Sequence, residues 1–310
     1  MLANGSGLDV SDERVSELLV AAGAIQIDVG HLDVERFTLF NHQLIHRPAE
    51  YIEASTPRTK FAGGVWSATD LPGTQSIAPH NESSYRLAWP GRILFGCVQV
   101  PESGGETTLT DVQAVFDDLP RGLIEEFLKR DWLLVRNYHP GLGIGWQEAF
   151  SCESRDEVHR YCRTNDIDVE WLGDDALRTR QIRRAVARHP VTGSLLWFNH
   201  IVFWHPSSLA PRHREYLESE FGEEGIPFAT YYGDGGVIPD AVIAEIRDAY
   251  TRNTMEYTWR EGMLMLLDNM RVAHGRRPFT GQRKILVGMG DEIERWATST
   301  FDVLNLSSST

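Results

Sequence analysis

Little cysteine, no long apolar run and a shortage of positive charge each remove a class of protein. The three cysteines, Cys97, Cys152 and Cys162, are odd in number and lack C-x-x-C spacing, so neither a disulfide framework nor a cysteine zinc site is indicated. Cys97 falls in an apolar run and Cys162 on the apolar side of a helical pattern, where a thiol acts as a small hydrophobe. No apolar stretch approaches the ~20 residues that cross a bilayer, and residues 1–7 lack the basic and apolar regions of a signal peptide. A cytoplasmic protein without a membrane partner is expected. With 30 Lys and Arg against 44 Asp and Glu, the net charge of -14 argues against nucleic acid and anionic surfaces, which demand clustered cations. Repeats, low-complexity stretches and linkers are also absent. A single domain over residues 1–310 is expected, with flexible tails at 1–10 and 300–310.

The chain is rich in core-forming residues: 42% are hydrophobic, and 9 Trp, 9 Tyr and 13 Phe are spread over 310 positions. That is enough for one large core. Patterning predicts a helix from Ser11 that ends at Gly23, a strand at 24–29 and a helix from Asp33 to His46. Residues 48–79 read as a long loop region. Strands are predicted at 93–100, 107–110, 132–136, 180–187, 195–200, 263–267 and 283–289. Helices are predicted near 111–130, 154–165 and 239–252, the second opened by Ser154 and Glu157 as a capping box. Many strands with intervening helices point to a mainly β fold with helical decoration, its core two sheets closed into a squat barrel.

The pattern His-x-acid occurs three times, at His31/Asp33, His80/Glu82 and His213/Glu215. The last lies in a charged helical pattern, where positions i and i+2 point about 200° apart. Asp33 stands where a helix begins and reads as its N-cap. His80 and Glu82 instead follow a Pro-Gly loop, and on an extended strand both would project to one face. With His274 from a distant strand they form two imidazoles and one carboxylate, the ligand set of non-haem Fe(II) oxygenases. Two other readings use the same residues: a zinc hydrolase, and a cupin-like binding protein without catalysis.

Gly64-Val65-Trp66-Ser67-Ala68-Thr69-Asp70, Pro79-His80-Asn81-Glu82-Ser83-Ser84-Tyr85, Gly104-Gly105-Glu106-Thr107, Leu267-Asp268-Asn269 and Ala273-His274-Gly275-Arg276 resemble the taurine dioxygenase and clavaminate synthase superfamily. The nearest likeness is to its syringomycin-type amino-acid hydroxylases. The resemblance implies a double-stranded β-helix (jelly-roll) core, with Fe(II) held by His80, Glu82 and His274. It also implies 2-oxoglutarate and O2 as cosubstrates, the distal carboxylate of the former taken by Arg283 and the Thr107 hydroxyl. The family often carries a second arginine four residues after the first, where this chain has Val287. The implied reaction couples decarboxylation of 2-oxoglutarate to hydrogen removal from a substrate. Related halogenases have a small residue at position 82, so Glu82 favours hydroxylation or desaturation. The implied substrate is an amino acid or amino-acid-like small molecule, free or tethered to a carrier protein, in natural-product biosynthesis. A catabolic dioxygenase of a sulfonate or similar small acid is the alternative. Arg136 and Asn199, polar groups amid aromatic surface, and Ser76, four residues before His80, are the candidate substrate contacts.

Overall fold

The computed structural model describes residues 1–4 and 12–294. The predicted helix start at Ser11, the tail at 300–310 and most of the tail at 1–10 lie outside them. Leu2–Asn4 departs from the expected tail, because it pairs in parallel with Ala24–Asp28 at the edge of the largest sheet.

That sheet has six strands in the order Leu2–Asn4, Ala24–Asp28, Met263–Asp268, Ala88–Gln99, Lys284–Glu294 and Val65–Ser67. Its central strands are buried on both faces, and period-two alternation assigns each residue to a side. Met263, Met265 and Leu267 pack inward with Ile93, Phe95, Ile285 and Val287. Leu264 and Leu266 pack outward with Leu94, Val15, Leu19 and Phe37, beneath the helices Asp12–Ala22 and Val34–Leu44. Gly96 and Gly288 are on this outer face, where a Cβ would strike Phe37 and Asn41 respectively. Two missing side chains therefore set how closely the second helix seats. Asp33 caps that helix as read, its carboxylate accepting from the Arg36 amide at 2.8 Å.

Facing the inner surface is a four-stranded sheet ordered Thr254–Tyr257, Thr107–Asp111, Val272–Arg276 and Ile77–His80. A third sheet, Phe228–Tyr232, Trp132–Tyr138, Leu177–Arg183 and Asp168–Trp171, carries another aromatic core with the helices Val112–Asp118, Arg121–Arg130 and Asp240–Arg252. The fold is thus mainly β with helical decoration. The capping box of Arg155–Thr164 forms as predicted, with Ser154 and Glu157 each bonded to the other's backbone. No helix of the described residues is long and apolar enough to cross a membrane.

The stretch between residues 44 and 65 contains no regular element and is tied down by side chains. Glu53 is fully buried with a positive φ of 55°. It accepts from Tyr161 Oη at 2.9 Å and Gln181 Nε2 at 3.3 Å, and its carbonyl accepts from Tyr85 Oη and Arg136. A buried carboxylate with that many donors fixes a loop as firmly as a strand would.

Candidate metal centre

His80 ends the strand Ile77–His80, and His274 lies opposite it in the antiparallel neighbour Val272–Arg276. Cross-strand partners stand close together, and the two ring centroids are 4.6 Å apart. Gly275 permits this approach, since a Cβ there would run into the Ile77 carbonyl and the Thr108 hydroxyl.

Glu82 arrives by a route different from the one the sequence suggested. The strand stops at His80 and Glu82 is in a turn, with Ser83 next to it at φ 58°. The i, i+2 rule of an extended strand is therefore not what brings Glu82 to the histidines. Asn269 does this instead: its Oδ1 accepts from the Glu82 amide at 2.8 Å and its Nδ2 donates to the Glu82 and Pro90 carbonyls. Asn81 returns a bond to the Asn269 carbonyl at 2.7 Å. One ligand atom from each of His80, Glu82 and His274 then lies within 4.8 Å of the others.

The protonation states suit a cation. The Nδ1 of His80 is 3.0 Å from the Ala78 carbonyl, which places its proton there and leaves the Nε2 lone pair free. Burial holds His80 below its usual pKa, and burial, with the nearby Arg58 charge, drives His274 well below. Both are neutral imidazoles at pH 7, the form that binds metals. Burial pushes the Glu82 pKa up, but the net shift is downward, with the Arg58 guanidinium the largest lowering cause, so the carboxylate is ionised. The His274 Nδ1 is buried without a partner. A divalent ion that prefers mixed nitrogen and oxygen donors fits this set.

A cavity opens beside His80 and His274, lined also by Phe95, Thr107, Val287 and the arginines 58, 276 and 283. Arg283 directly precedes the strand Lys284–Glu294, and its pKa is drawn down to about 10 by burial first and by Arg276 second. Thr107 Oγ1 accepts from Trp259 Nε1 at 2.8 Å, so its own hydrogen stays available to an anion. Val287 is packed in the interior cluster. Arg58 was missed by sequence reading, because it stands in a loop that carries no periodic signal. Its Nη2 donates to Glu82 Oε2 at 2.8 Å, with both side chains under a tenth exposed.

The remaining candidates lie elsewhere. Ser76 and Asn199 line a mixed groove with Val202, Tyr250, Arg247 and Arg277, and Asn199 also bonds the Ala185 carbonyl and the Ile201 amide. Arg136 borders a larger apolar cavity with Tyr138, Phe203, Trp204 and Phe228, while two of its nitrogens hold the Glu53 and Ala54 carbonyls. Phe203 was not anticipated either. Its ring centroid is 4.7 Å from that of His80.

Comparison with known proteins bears on this geometry. The family described as taurine catabolism dioxygenase TauD, TfdA matches residues 6–289. The dapdiamide synthesis protein DdaC of Enterobacter agglomerans is 34% identical over 284 residues, covering 91% of this chain and 86% of that one. A clavaminate synthase-like protein of Arabidopsis thaliana is 23% identical over 253 residues, covering 77% and 72%. Among solved structures, AAD-2 in complex with Mn(II) and N-oxalylglycine superposes with a TM-score of 0.54 at 15% identity, covering 94% of each chain. A Burkholderia xenovorans protein described as a putative alpha-ketoglutarate dependent 2,4-D dioxygenase gives 0.51 at 18% identity, covering 94% and 93%. At those identities the structures report a shared fold.

Proposed function

The chain belongs to the TauD, TfdA family and is an Fe(II)- and 2-oxoglutarate-dependent dioxygenase that consumes O2, and from this premise we propose its site and substrate class. A single double-stranded β-helix domain in the cytoplasm holds Fe(II) through His80, Glu82 and His274. Arg283 and the Thr107 hydroxyl take the distal carboxylate of 2-oxoglutarate. The substrate is an amino acid or amino-acid-like small molecule, free or carrier-tethered, and the outcome is hydroxylation or desaturation within natural-product biosynthesis. The convergence of the three donors within 4.8 Å carries the metal reading. The likeness to a protein named for dapdiamide synthesis supports the substrate class.

The bound metal with its two cosubstrates supplies the oxidising power that removes hydrogen from the substrate. The protein's own part is to position groups and exclude water. His80 presents Nε2 because Ala78 holds its other nitrogen, and Glu82 is steered by the Asn269 clamp. Arg283 offers a planar fork that meets a carboxylate with two parallel bonds. Trp259 orients the Thr107 hydroxyl toward the same place.

Anaerobic protein mixed with Fe(II) and 2-oxoglutarate is expected to show a weak visible charge-transfer band that His80→Ala and Glu82→Ala both lose. An amino-acid screen for stimulated succinate release, repeated on carrier-bound forms, identifies the substrate. Absence of the band in the unaltered protein would defeat the metal and cosubstrate assignments, and stimulation by small sulfonates alone would defeat the substrate class.

A further inference from the structure

Three guanidinium groups line the cavity beside the two histidines, and they differ in how many of their donors are used. Arg276 is committed, with its terminal nitrogens on the carbonyls of Leu71, Pro72 and Gln75. Arg283 makes no hydrogen bond or ion pair among the described residues, and its Nε is buried without an acceptor. Arg58 is only partly engaged: Nη2 meets Glu82, Nη1 meets the weak acceptor Met289 Sδ at 3.5 Å, and Nε is buried with none. A guanidinium has five N–H donors, and leaving them unmet in a buried site is costly. Two underused cations facing one cavity call for a ligand with two anionic ends.

Building on the 2-oxoglutarate reading, we propose that Arg58 is the second carboxylate anchor of the cavity, gripping the carboxylate next to the keto group while Arg283 grips the distal one. Arg58 stands at the correct end for this, since it already touches the Glu82 carboxylate, and the keto-acid end is the one that must lie by the metal donors. Tyr51 lies under the guanidinium, its ring centroid 4.6 Å from Cζ, and keeps the fork level. The position four residues after Arg283 is the apolar Val287, which lines the same cavity. The cation is thus delivered from the loop rather than from the strand.

The test uses full-length protein saturated with Mn(II), in which ligand affinity is measured by calorimetry for 2-oxoglutarate and for 2-oxobutyrate, which lacks the distal carboxylate. Arg58→Gln is expected to weaken both ligands by about tenfold or more, and Arg283→Gln to weaken only 2-oxoglutarate by a comparable factor. Arg58→Lys, which keeps the charge beside Glu82 but loses the fork, is expected to fall between. If Arg58→Gln and Arg58→Lys lower Mn(II) affinity yet bind both ligands as the unaltered protein does once metal is saturating, Arg58 only braces Glu82 and the proposal fails. If the unaltered protein binds neither ligand, the fault lies in the 2-oxoglutarate reading itself.

Discussion

His80 lines one cavity and Phe203, the ring packed on it, lines another, and the chemistries of the two are opposed. The first, about 40 Å³, is bounded by arginines 58, 276 and 283 together with Thr107 and the two histidines. The second, about 350 Å³, is walled by Tyr138, Ile144, Phe203, Trp204, Leu217 and Phe228. Phe203, packed on His80, is part of its wall. Charged groups with few partners make a space that accepts one kind of molecule, whereas apolar walls accept any group of suitable size. By that argument the first cavity suits a single charged ligand, and the second suits apolar groups of varied shape.

The largest effect should come from breaking the charged side. Glu82→Ala leaves Arg58 buried and unpaired, which is expected to cost about 3–5 kcal/mol of stability by urea denaturation. Arg58→Met combined with Glu82→Leu should recover most of that loss but no metal binding, and full loss in the double variant would show that the pair itself stabilises the fold. Next, Leu217→Trp crowds the apolar side at a cost of about 1–3 kcal/mol. It should leave Mn(II)-supported 2-oxoglutarate affinity within about twofold, and a larger change would mean the two cavities are not independent.

Arg283→Met should act in the opposite direction. Removing a buried cation that has no hydrogen-bond or ion-pair partner among the described residues, only the Phe279 ring 5.7 Å away, is expected to stabilise the ligand-free protein by about 1–3 kcal/mol and to abolish the rise in melting temperature expected of the unaltered chain with 2-oxoglutarate. The pKa of Arg283 is drawn down to about 10, chiefly by burial, so the fold disfavours its charge. Stability linked to this group therefore rises as pH climbs above about 10, because the unfolded chain holds the proton longer. Dicarboxylate affinity follows the opposite course, constant below pH 10 and declining above it. The smallest effect, about 1 kcal/mol, is expected for Asp33→Ala, which removes a helix cap remote from both cavities and should change neither ligand binding nor metal binding.

That His80, His274, Thr107 and Arg283 come to one cavity was legible because each lies in a short motif on or beside a strand, where local spacing survives into the fold. The position of Glu82 was legible and its geometry was not, since the bond that turns it inward comes from Asn269, 187 residues later. Arg58 and Glu53 left no trace: their loop has no periodicity, and its order comes from distant donors such as Tyr161 and Arg136. Strand patterning found Trp132–Tyr138 but missed its neighbour Phe228–Tyr232, although Phe-Ala-Thr-Tyr-Tyr carries a β signal. It also missed Thr254–Tyr257, which follows the helix Asp240–Arg252 with almost no break.

The Asn269 clamp also bears on the order of assembly. It sews the turn at 81–84 to the segment just ahead of His274, so amide hydrogen bonds offset the entropy of closing a chain loop of that length without any ion. Metal uptake is therefore expected to be a late event that reports finished folding: neither half of the polypeptide alone should hold an ion tightly, and uptake during refolding should lag behind the joining of the two sheets.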